Sequence, residues 1–153
     1  YYKEDILVGY RWHDTKKIKP EFAFGHGLSY TSFQFSEIIS DKKTYNLNDT
    51  IKISCNLNNL GKINGSEVVQ VYMGKENSRV ERALKELKGF KKVLVQKAST
   101  KKVENSIPFS DLAYYDEAIS DWNIEKGYYK IYIGNSSINI FKILEIKVMW
   151  LSL

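Results

Sequence analysis

The sequence predicts an all-β sandwich, and three observations predict it. Apolar residues recur with a period of two: Ile51, Ile53, Cys55 and Leu57 share one face of a run, and Val69, Val71 and Met73 share one face of the next. Turn material separates such runs at Asn58-Asn59-Leu60-Gly61, Asn64-Gly65 and Asn135-Ser136-Ser137. No long window keeps a convincing helical period. Seven or eight short strands over roughly 115 residues suit two sheets packed face to face, each strand keeping one dry face. A barrel is the alternative on pattern alone.

The elements follow in order. Residues 1–20 hold a short apolar core, Ile6-Leu7-Val8, followed by aromatic and charged residues; alone this arm cannot bury both its faces. In residues 21–35, Phe22 and Phe24 alternate, Gly25-His26-Gly27 forms a flexible corner, and Phe33 and Phe35 alternate again. The run 51–57 is a strand. In the next, Val69, Val71 and Met73 oppose Val68, Gln70 and Tyr72. Residues 76–84 are charged and read as a loop. Residues 81–88 (ERALKELK) are the best helical candidate, stopped by Gly89. Strand-like pieces follow at 87–95 and 101–109. Residues 127–134 give a strong strand signal, and Ile138 to Val148 is a last β-branched stretch.

Composition narrows the function. At 43% hydrophobic and 27% charged, 153 residues make a folded chain of one domain, or one domain plus an arm. A (β/α)8 barrel needs roughly 250 residues. The net charge is +5, but only Arg11, Arg79 and Arg82 are arginines, and the lysines are mixed with acids, which argues against nucleic acid as a partner. No apolar run approaches the ~18–20 residues of a membrane-spanning helix, and no signal peptide is visible. The route of export stays open: secreted, periplasmic and cytoplasmic settings all fit. Cys55 stands alone, so it forms no intrachain disulfide and reads as a buried thiol.

The chemistry-bearing groups do not assemble into a site by spacing. Glu4 and Asp5 are adjacent and point apart if extended. Asp111, Asp116, Glu117 and Asp121 read as turn acceptors and solvated strand ends, without the EF-hand spacing. His13 and His26 lack ligand-spaced partners, so no structural zinc is expected. His26 reads as a turn histidine. Gly25-His26-Gly27 lacks the rest of a phosphate loop, and Gly27-Leu28-Ser29-Tyr30-Thr31 fails as a nucleophile elbow at its fifth position. Tyr114, Tyr115, Tyr128, Tyr129 and Tyr132 either stack on sugar or cover a sheet face, and covering is the expectation. Trp12, Trp122 and Trp150 read as anchors, with Trp150 sealing an edge or a neighbouring domain. The triplets at Asn48, Asn64 and Asn135 match glycosylation acceptors, which matter only in a glycosylating compartment. No catalytic, cofactor-binding or metal residue is nominated.

Five ordered blocks carry a family resemblance. Tyr2-x-Glu4-x-x-x-Val8-Gly9-Tyr10-Arg11-Trp12-x-Asp14 resembles the end of the second catalytic domain of family 3 glycoside hydrolases, and Phe22-x-Phe24-Gly25-His26-Gly27-Leu28-Ser29-Tyr30-Thr31 their connector. Glu67-Val68-Val69-Gln70-Val71-Tyr72 with Lys85-Glu86-Leu87-Lys88-Gly89-Phe90-Lys91-Lys92-Val93 resembles their fibronectin type III-like domain. Asp111 to Asp116, and then Trp122-x-x-Glu125-x-Gly127-x-Tyr129 with Ile133-Gly134-x-Ser136-Ser137, continue it. Ala23 departs from a usual Pro, and His13 from a frequent Tyr.

The resemblance implies an immunoglobulin/fibronectin type III-like β-sandwich with an N-terminal extended arm. It divides the chain into the tail of an α/β sandwich catalytic domain (1–19), a connector (20–35) and the fibronectin type III-like domain (36–153). It implies a retaining glycosidase as parent, of the β-glucosidase branch, with a nucleophilic Asp and an acid/base Glu in other domains. Ser120-Asp121-Trp122 spells the family's nucleophile motif in the wrong domain, so Asp121 is not assigned that role. The expected partners are the catalytic domains of the same parent, and the expected role is accessory and non-catalytic. The alternative is a carbohydrate-binding or adhesion-type module, with a glycan contact through exposed tyrosines.

Overall fold

A computed structural model describes residues 4–149. Trp150 and Tyr2 lie outside the described residues. The described residues form a short helix α1 (Tyr10–Lys16) and ten strands: β1 (Phe33–Ser40), β2 (Thr44–Asn46), β3 (Thr50–Asn59), β4 (Gly65–Lys75), β5 (Glu86–Val95), β6 (Thr100–Pro108), β7 (Tyr114–Asp116), β8 (Asp121–Asn123), β9 (Gly127–Gly134) and β10 (Ile140–Met149). A 3₁₀ turn, Phe109–Leu112, joins β6 to β7.

Two sheets face each other. The smaller has the order β1-β3-β6 and the larger β2-β10-β9-β4-β5, with β7 and β8 forming a separate hairpin. All pairings are antiparallel except β10 with β2. The period-two residues meet between the sheets. Ile51, Ile53, Cys55 and Leu57 of β3 and Val103 and Ile107 of β6 pack against Val69, Val71 and Met73 of β4, Ile131 and Ile133 of β9, and Ile146 and Val148 of β10. Removing these faces from water is the main stabilising term, at about 25 cal/mol per Å² of apolar surface.

Two buried tyrosines fix corners. The Tyr129 hydroxyl donates to the Glu125 carbonyl at 2.8 Å, in the manner of the tyrosine corner of immunoglobulin-like sandwiches. The Tyr45 hydroxyl donates to the Asp41 carboxylate at 2.5 Å. At β1 a bulge at Glu37 (φ 49°) shifts the register against β3, and the Glu37 carboxylate accepts from Asn56.

Two local expectations are corrected. Residues 81–88 form no helix: 81–84 lie in a loop and Glu86 opens β5, because pairing with β4 satisfies the backbone there. The arm is not wholly extended, since Tyr10–Lys16 is helical. It starts at Gly9, whose φ of 65° suits glycine, and it has no side-chain cap. It stops at left-handed Lys17 in a Schellman arrangement, with Lys17 N–H donating to the Asp14 carbonyl and Ile18 N–H to the His13 carbonyl. The His13 ring nitrogen Nδ1 lies 3.3 Å from the Ile18 carbonyl, completing this cap.

Candidate functional site: a clasp between the arm and the outer sheet face

β4 breaks the rule that one face of each strand is wet. Gln70 and Tyr72, on the side away from the core, are as buried as Val69 and Val71. The cover is the N-terminal arm. Tyr10 of α1 stacks on Phe24 at 4.8 Å and meets Tyr72 edge-on at 5.7 Å. Its hydroxyl accepts the Leu87 amide at 2.8 Å, and the Thr15 hydroxyl accepts the Leu84 amide at 2.9 Å. The Leu84 amide lies in the loop just before β5 and the Leu87 amide in its first residues, at an edge of the larger sheet, so α1 supplies acceptors the sheet edge lacks.

The centre of the clasp is ionic. Lys85 Nζ lies 2.6 Å from the Asp14 carboxylate, with each side chain only 7% exposed. The ammonium also stands 5.8 Å from the ring centres of both Tyr72 and Tyr132. Aromatic faces and one carboxylate thus replace its water. Arg11 reaches Glu86 at 3.2 Å, and Lys88 reaches the same carboxylate at 3.1 Å. Burial alone would raise the Glu86 pKa, but Lys88, Arg11 and Arg82 together hold it below the usual range. The Tyr72 hydroxyl is pushed upward, first by burial and then by the negative charge near it.

The connector makes the second half of the clasp. Gly25 has φ 84°, and a Cβ there would overlap Gln70 Nε2. Gln70 in turn donates to the Asn135 carbonyl at 3.0 Å and accepts from the Tyr72 hydroxyl. The Phe24 carbonyl accepts from the Ser137 amide at 2.8 Å, and the Thr31 hydroxyl donates to Asn59 at 2.6 Å. Of the two glycines beside His26, only Gly25 takes the left-handed conformation. The His26 backbone amide donates to the Ala23 carbonyl, and its ring lies near Phe22.

A buried carboxylate organises the neighbouring loop. Glu125 accepts from the Ser78 hydroxyl at 2.6 Å and the Arg79 amide at 2.8 Å, and Arg82 lies 3.8 Å away. Burial opposes its ionisation, yet these two donors with the Lys75 and Arg82 charges keep its pKa lowered. The loop 76–84 is therefore pinned to the turn before β9.

The remaining chemistry-bearing residues scatter. Tyr129 is in the core, Tyr114 lies under Arg82, Tyr132 lies beside Lys85, and Tyr128 sits under Lys147 on the outer sheet face. Only Tyr115 joins another exposed aromatic, Trp122, at 6.0 Å. The five tyrosines do not share one platform. Asp116 accepts from the Tyr114 hydroxyl, the Asn123 amide group and the Ala118 backbone, which is a turn-acceptor role. Asp121 accepts the backbone amide of Trp122 on the exposed hairpin. Burial pushes the Cys55 thiol up to about 11, which keeps it protonated. Among the described residues, no three His, Cys, Asp or Glu side chains gather as metal ligands do.

Sequence reasoning missed the clasp pairs. Asp14 and Lys85 stand 71 residues apart in two separate family blocks, and nothing in either block pairs them. The one local signal was Gln70-x-Tyr72 on a face of β4 whose next strand-mates are Val68 and Gly74.

The arm's other side is bare. Leu28 is 95% exposed and Tyr30 100%, and Phe22, Val8 and Ile6 are exposed with them. Apolar side chains so fully wetted, on a segment fastened at both ends, are the mark of a surface that another body covers.

Comparison with known proteins agrees with the geometry. Residues 67–137 match the fibronectin type III-like domain. The chain is 47% identical over 139 residues to thermostable β-glucosidase B of Acetivibrio thermocellus, covering 91% of this chain and 18% of that protein. It is 44% identical to a β-glucosidase of Bacteroides ovatus, over 91% of this chain and 19% of that one. Among solved structures, the β-glucosidase of Kluyveromyces marxianus superposes with a TM-score of 0.88 at 41% identity, over 97% of this chain and 18% of that chain. The family 3 β-glucosidase of Bifidobacterium adolescentis gives 0.89 at 30% identity, over 96% and 21%. The chain spans about a fifth of the length of the relatives it matches.

Proposed function

We propose that this chain, which belongs to the fibronectin type III-like portion of family 3 β-glucosidases, is the accessory, non-catalytic C-terminal part of a retaining β-glucosidase that removes terminal non-reducing β-D-glucosyl residues. Its partners are the catalytic domains of the same parent chain. Residues 1–19 are the tail of the second catalytic domain, 20–35 the connector, and 36–153 the sandwich. The nucleophile and the acid/base lie in the preceding domains, and no residue of this chain is given a catalytic role.

The observation that carries this reading is the two-sided arm. One side is fastened to the sandwich through Tyr10, Asp14, Thr15 and Gly25, while Phe22, Leu28 and Tyr30 face outward with no cover. The sandwich works as a rigid bracket. It fixes the course of the arm, and the arm fixes the end of the catalytic domain from which it comes. Catalytic geometry tolerates errors of only about 0.5 Å, so a rigid support at a domain's edge contributes to rate without touching substrate.

Two measurements test the parentage. Intact mass spectrometry of the native polypeptide should give roughly 75–90 kDa, the size of three packed domains of this kind. Hydrolysis assays should show cleavage of an aryl β-glucoside in preference to the β-xyloside. A native chain near 17.8 kDa, the mass of this sequence alone, would overturn the reading.

A further inference from the structure

The turn from β3 to β4 carries the single Asn-Gly dipeptide of the sequence, Asn64-Gly65. Asn64 is exposed and lies just outside β4, which opens at Gly65. Contacts fix both residues. A Cβ on Gly65 would stand 2.5 Å from Thr31 Cγ2 and 3.1 Å from the Phe33 ring, and a Cβ on Gly61, across the turn, would overlap the Thr31 hydroxyl. Thr31 of the connector therefore sits in a cradle of two glycines, and a side chain at either would push it out. Asn64 Oδ1 accepts the Lys97 amide at 2.9 Å, which ties this turn to the one between β5 and β6. The fold thus keeps an asparagine in front of a glycine.

That pairing is chemically labile. Gly65 has no Cβ to hinder its backbone nitrogen in reaching the side-chain carbonyl carbon of Asn64. The Lys97 amide points at Oδ1, where negative charge develops when that carbon becomes tetrahedral, and a fixed N–H donor aimed at such an oxygen stabilises it. Among the described residues, Asn64 Nδ2, the group that must leave, has no hydrogen-bond partner. Exposure of Asn64 admits the hydroxide and water that the reaction needs. Asparagine is one of the thermolabile residues that heat-stable proteins use sparingly.

We infer that Asn64 is a site of spontaneous modification, converted through a succinimide to aspartate and isoaspartate with the Lys97 amide as the activating donor. Hydroxide removes the Gly65 amide proton, and that nitrogen bonds to Asn64 Cγ. The Cγ–Nδ2 bond breaks, and Nδ2 takes up a proton and leaves as ammonia. Water then opens the ring at either carbonyl. Opening at Cγ gives aspartate, and opening at the main-chain carbonyl gives isoaspartate, whose backbone runs through the former side chain. One water is consumed, one ammonia is released, and no oxidant takes part. Isoaspartate adds a methylene to the main chain directly before Gly65, which shifts the glycine cradle off Thr31. The β3–β4 turn is thus the point at which the seat of the connector degrades with age.

Peptide mapping by mass spectrometry tests this on the native polypeptide that contains this chain, incubated folded at mildly alkaline pH. Asn64 should exchange its NH2 for OH at least fivefold faster than Asn77, which is also exposed in a turn but precedes Ser78. Isoaspartate should be among the products, and the rate should rise with pH. Reaction no faster than at Asn77, or a glycan already attached to Asn64, overturns the inference. Lys97→Pro tests the activating donor. Lys97 directly precedes Ala98, whose φ is 51°, so it holds the position of a type II turn that suits proline, and the variant loses only the N–H. It should react at least threefold more slowly at Asn64, and an equal or faster rate overturns the inference. As a second readout, aged wild-type protein should be cleaved faster between residues 20 and 31 in limited proteolysis. Asn64→Ser, with no amide to lose, should hold its starting cleavage rate through the same incubation. A wild-type connector that is cleaved no faster after Asn64 has reacted would count against the cradle's part in the inference.

Discussion

Lys85 and Asp14 form a buried ion pair at 2.6 Å that joins the sandwich to the arm helix across 71 residues of chain. Removing one partner strands the other charge among Tyr72, Tyr132 and the sheet. Asp14→Asn should therefore weaken arm docking by about 3–5 kcal/mol. The loss should appear as local opening rather than global unfolding. Hydrogen exchange reads it at the Leu84 and Leu87 amides, whose acceptors are Thr15 and Tyr10 of the same helix. The double replacement Asp14→Leu with Lys85→Met should recover most of the protection, and failure to recover would mean the pair contributes more than the burial of its stems.

The connector offers a matched pair of substitutions. Gly25→Ala combines a left-handed φ of 84° with a clash on Gln70, so it should cost at least about 1–2 kcal/mol and loosen the connector. Gly27→Ala meets nothing within 4 Å and should be close to neutral. Limited proteolysis between residues 20 and 31 distinguishes them. Equal behaviour of the two variants would remove Gly25 from the clasp.

Acid should release the loop before it unfolds the sandwich. Glu125 and Glu86 both have lowered folded-state pKa values against an ordinary 4.5. Their contribution is fully present above about pH 4.5 and is lost as the pH falls through the folded values beneath it. Stability measured by denaturant between pH 6 and pH 3 should therefore fall steeply at the acid end. Glu125→Gln should lower the plateau and flatten that fall, and an unaltered slope in this variant would show that other carboxylates govern it.

Tyr129→Phe keeps the ring in the core and deletes one hydroxyl. It leaves the Glu125 carbonyl without its 2.8 Å donor in a buried corner, at a cost of about 1–3 kcal/mol in global stability. Chemical denaturation with an unchanged m-value checks this. Tyr128→Phe, one residue away on the exposed face, should change stability by less than about 0.5 kcal/mol.

The sandwich was legible because its strands obey the simplest pattern. β3 and β6 alternate between core and water, so Ile51, Ile53, Cys55 and Leu57 announce both the strand and its inner face. β4 was legible as a strand, but not its second burial, since Gln70 and Tyr72 look like an ordinary wet face until an arm covers them. Helix α1 was hidden for physical reasons. Its seven residues carry no side-chain cap, bury no apolar residue fully and are held by contacts to Leu84, Lys85 and Leu87 rather than by propensity. The family blocks contained Asp14, Lys85 and Glu125 as letters, while their pairing depends on distances that sequence order does not carry. The tyrosines illustrate the same limit: Tyr128 and Tyr129 are neighbours in sequence, and one is exposed while the other is sealed in the core.

The most direct test of the bracket is removal of residues 36–153 from the full-length parent, with melting temperature and kcat/KM on an aryl β-glucoside measured before and after. The account predicts that both fall, because the arm loses the surface that fixes its course and the catalytic edge loses its support. Unchanged values of both would contradict it.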